Sequence, residues 1–83
     1  MALHSHRFVE EYEGPVGFGF DRKTDEQTLT YYLQKFSDDE LADTIMARLS
    51  DPDMEELFNL LGRLLKQYLT EEEYHTLFLK DGR

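Results

Sequence analysis

The sequence predicts an all-α fold, a compact orthogonal array of three to four short helices around a central apolar helix. An N-terminal extended arm or short hairpin precedes it. Three observations carry this expectation. Apolar residues recur at helical spacing from residue 24 onward, capping signatures stand at regular intervals, and residues 54–69 are too apolar to be left in water. The arm is expected over residues 1–23 and the helical domain over 24–83, with helices at 25–36, 38–49, 52–69 and 71–80.

In the arm, residues 1–7 are mostly polar. Phe8, Val9, Tyr12, Val16, Phe18 and Phe20 then surround a Glu13-Gly14-Pro15 turn signal. Val16-Gly17-Phe18-Gly19-Phe20 alternates large apolar residues with glycine, a period of two that reads as extended chain. An isolated hairpin is marginal in water. This arm is therefore expected to lie over the helices of its own chain or to reach onto a second subunit.

The first helix opens at Thr24-Asp25-Glu26-Gln27, of capping-box form, and carries Leu29, Tyr32, Leu33 and Phe36 at i, i+3, i+4 and i+7. Ser37-Asp38-Asp39-Glu40 is a second such box, and its helix turns Leu41, Ala42, Ile45, Met46 and Leu49 inward. Asp51-Pro52 supplies a cap followed by proline at the first helical position. It launches the central helix, whose apolar positions are Met54, Leu57, Phe58, Leu60, Leu61, Leu64, Leu65, Tyr68 and Leu69. At ~100° per residue these sweep roughly 220° of the helical wheel, well beyond the stripe of a surface helix. Gly62, at the edge of the polar arc, reads as a place where a neighbouring helix approaches closely. Thr70-Glu71-Glu72-Glu73 begins a last helix with Tyr74, Leu77 and Phe78 facing inward. The near absence of loops between the capping sites forces sharp turns rather than a smooth up-down bundle.

Charge narrows the partners. The net charge is −9, from 18 acids against 9 lysines and arginines, which argues against a nucleic-acid surface or an anionic membrane. Many of the acids (Asp38, Asp39 and Glu40; Asp51, Asp53, Glu55 and Glu56; Glu71, Glu72 and Glu73) fall at expected helix starts, where negative charge offsets the dipole. Cysteine is absent, which removes disulfides and thiolate metal ligands. With no apolar leader or membrane-length apolar run, the expected location is cytoplasmic.

Candidate chemistry is sparse. His4 and His6 stand one residue apart at the N-terminus, without the HExxH or paired-cysteine spacing of a zinc site. A chain starting at Ala2 would offer its amine, two amides and the His4 imidazole to Cu(II) or Ni(II). His75 is expected on the surface. Ser5, Ser37 and Ser50 lack a nucleophile elbow, and the paired carboxylates sit on exposed first turns where nothing raises a pKa. Gly17-Phe18-Gly19 lacks the third glycine and lysine of a phosphate loop, and Asp21-x-Lys23-x-Asp25 lacks the glycine and glutamate of an EF-hand. No catalytic, cofactor-binding or metal-binding residue and no small-molecule substrate is assigned.

Association remains. Met54, Leu57, Leu61, Leu64 and Tyr68 form a seam at 3-4-3-4 spacing suited to a partner helix, beside a second row of Phe58, Leu65 and Leu69. One row is expected to fill the core, and the other to bind a partner. The expected partner surface comprises Phe18, Phe20, Phe58, Leu65 and Leu69, serving a protein partner or a homodimer. The function this implies is a non-catalytic, cytoplasmic protein-interaction or regulatory module. Two other readings fit the sequence: an acidic decoy that occupies a basic, nucleic-acid-binding protein, and a small metal-handling protein acting through His4 and His6.

Overall fold

The computed structural model describes residues 6–81. Every regular element among them is helical, as expected. The chain divides into two compact units, with the division between Arg48 and Leu49.

The first unit holds α1 (Arg7–Glu11), α2 (Arg22–Phe36) and α3 (Asp39–Arg48). The N-terminal arm is not extended: residues 7–11 form a helical turn and residues 12–21 an irregular loop. Its backbone finds side chains of α2 instead of a partner strand. Thr28 Oγ1 accepts from the Gly17 amide at 3.1 Å and donates to the Gly17 carbonyl at 2.9 Å. One carboxylate oxygen of Asp25 accepts from the amides of Gly19 (2.9 Å) and Phe20 (3.3 Å). Nearer the N-terminus, the Val9 amide donates to Gln34 Oε1 at 2.9 Å.

The glycine–aromatic alternation that resembles a strand has another cause. The Tyr12 ring lies over Gly14 and the Phe20 ring over Gly17, so that a Cβ at either glycine would come within 2.8 Å of ring carbons. Gly19 takes a left-handed φ of 95°. The glycines seat rings and turn the chain.

α2 starts earlier than its apolar periodicity suggests. Asp21, not Thr24, is the N-cap: its carboxylate accepts from the Thr24 amide (2.9 Å) and hydroxyl (3.1 Å). An aspartate caps as well as a threonine, and using it adds a helical turn. The face of α2 that α1 and the loop cover is the polar one, centred on Thr28 with Gln27, Tyr31 and Gln34 beside it. The stripe expected to face inward, Leu29, Tyr32, Leu33 and Phe36, is exposed. At the α2–α3 joint Asp38 rather than Ser37 meets the Leu41 amide. Ser37 is otherwise engaged, donating to the Gln34 carbonyl and lying 2.6 Å from His6 Nε2.

In the second unit α4 (Asp51–Tyr68) is capped by Ser50, whose hydroxyl accepts from the Asp53 amide at 3.2 Å. Asp51 thus stands inside the helix. Leu69 and Thr70 are extended and end it. α5 (Glu71–Glu73) begins with the expected capping box: the Thr70 amide donates to Glu73 Oε1 at 2.9 Å and the Glu73 amide to Thr70 Oγ1 at 3.1 Å. It runs directly into a π-helical segment, Tyr74–Leu79, which Lys80 closes in the left-handed conformation. His75 is partly exposed, with Nδ1 2.7 Å from Asp81 Oδ2. Tyr74 stacks on Phe78 at 5.3 Å between ring centres, yet Leu77 and Phe78 are both more than half exposed instead of facing inward.

Candidate interaction surface

α4 combines a capped start, eighteen residues without an interior proline, and the strongest segregation of apolar from polar residues in the chain. Those properties make it a stable helix, but they do not bury it. No residue of α4 is buried: Leu57 and Leu64 are 37% exposed, Leu61 46% and Phe58 75%. Within its own unit α4 is thus not enclosed by other helices. Val9 and Thr28 are the only buried side chains among the described residues, and both belong to the first unit.

The seam on α4 is consequently open, and the second row is open at Phe58. Met54, Leu57, Leu61, Leu64 and Tyr68 present a continuous apolar seam, and Phe58 stands out beside it. Leu65 and Leu69 are half-covered, forming with Tyr74 the apolar wall of a shallow groove at the α4–α5 joint. Gly62 does not receive a neighbouring helix, since a Cβ there would meet nothing within 4 Å. Phe18 and Phe20 are exposed in the first unit, on a loop whose backbone is already fixed. The expected site residues thus fall into two groups, one on the loop and one on α4.

Sequence reasoning missed the loop's anchors. Asp21, Asp25 and Thr28 recur at intervals of four and three, a polar stripe on the helix that follows a glycine-rich segment. That pattern was the available signal.

Asp21 is held below its ordinary pKa chiefly by the hydrogen bond from the Thr24 amide. Arg22 and Glu26 pair at 2.7 Å across one turn on the surface. His4 lies outside the described residues, and the His6 ring meets the Ser37 hydroxyl. Among the described residues no His, Asp and Glu group has metal-binding geometry, and no helix is long and apolar enough to cross a membrane. Compared with protein-family models, curated proteins and solved structures, the chain matches none.

Proposed function

We propose that this protein is a non-catalytic interaction or regulatory module that docks through the open apolar face of α4. The observation that carries the reading is that the most amphipathic helix of the chain has no buried residue. A contiguous apolar surface of this kind is costly to leave in water and marks an interaction site. The firmly held loop bearing Phe18 and Phe20 supplies a second apolar contact, with little ordering left to lose on binding. The reading sets the protein in the cytoplasm, which fractionation of cells carrying a tagged copy tests.

The deciding experiment compares the wild-type protein with the triple variant Leu57→Asp, Leu61→Asp, Leu64→Asp by sedimentation, both in native extract and after purification. The wild type is expected in a species larger than its 9.9 kDa chain in at least the extract, and the variant as a monomer of unchanged helicity. A wild-type monomer under both conditions would overturn the proposal.

A further inference from the structure

We draw no further inference here: the strongest candidate, the open apolar seam of α4 formed by Met54, Leu57, Leu61, Leu64 and Tyr68, belongs to the surface already described, and nothing in the structure shows what covers it.

Discussion

The two units hold themselves together by opposite means. In the first, residues 6–48, apolar burial is slight and order comes from side chains that bind backbone across gaps in sequence: Thr28 to Gly17, Asp25 to Gly19 and Phe20, and Gln34 to Val9. In the second, residues 49–81, the bonds are local to helices and their caps, while a long apolar face stays open. The first spends polar groups to fix a loop. The second keeps its hydrophobic surface in reserve, and this is why α4 rather than the first unit is read as the docking element.

Thr28→Val should break the contrast most severely. It keeps the shape of a buried side chain but leaves the Gly17 amide and carbonyl without their partner, at a cost of ~2 kcal/mol. Amide exchange at Gly17 and along α1 should accelerate, while α4 is unaffected. Unchanged protection of Gly17 would show that the hydroxyl is not what holds the loop.

Thr70→Ala tests the second unit's dependence on local capping. Loss of the capping box should cost ~1 kcal/mol, seen as faster exchange at Glu73 and Tyr74 with the first unit untouched. An equal effect on α2 would argue against two independently ordered units. Gly62→Ala has the opposite sign. The methyl group enters open space on the helix, so α4 should gain ~0.5–1 kcal/mol of helical stability, read from thermal unfolding by circular dichroism. A loss instead would reveal a neighbour at Gly62.

Asp21 sharpens the comparison through pH. Its folded-state pKa is depressed, so the stabilisation is fully present above the ordinary carboxylate pKa and is lost as pH falls through the lower folded value. The Thr24 amide should lose protection below about pH 4, where carboxylates begin to take up protons. Asp21→Ala should abolish that acid-dependent step, and a step that survives the substitution would assign it to another carboxylate.

From α2 onward the helices were legible in the sequence, because period and capping are local properties, whereas α1 lay in a stretch that reads as extended. Thr70 and Glu73 meet as their spacing requires, and α4 ends within a residue of the apolar pattern. Burial was not legible, because an apolar stripe states what a helix would bury without saying whether anything covers it. Leu29, Tyr32, Leu33 and Phe36 form an orderly stripe, yet α2 is covered on its other side because Thr28 and Gln34 satisfy backbone groups of the arm. The same competition moved the caps: Asp21 displaced Thr24, and Asp38 displaced a serine already bonded to Gln34 and His6. Of the expected site residues, Phe58 was readable as prominent on α4, whereas the exposure of Phe18 and Phe20 depends on a loop whose anchors are polar.

Because Thr28 and Asp25 grip main-chain atoms alone, the identity of the residue at position 18 is left open by everything that shapes the loop. Natural variation or deliberate randomisation there could exchange the displayed group while the frame beneath it persists. Residues 12–36 are in that sense a small cassette, a helix carrying an interchangeable fingertip.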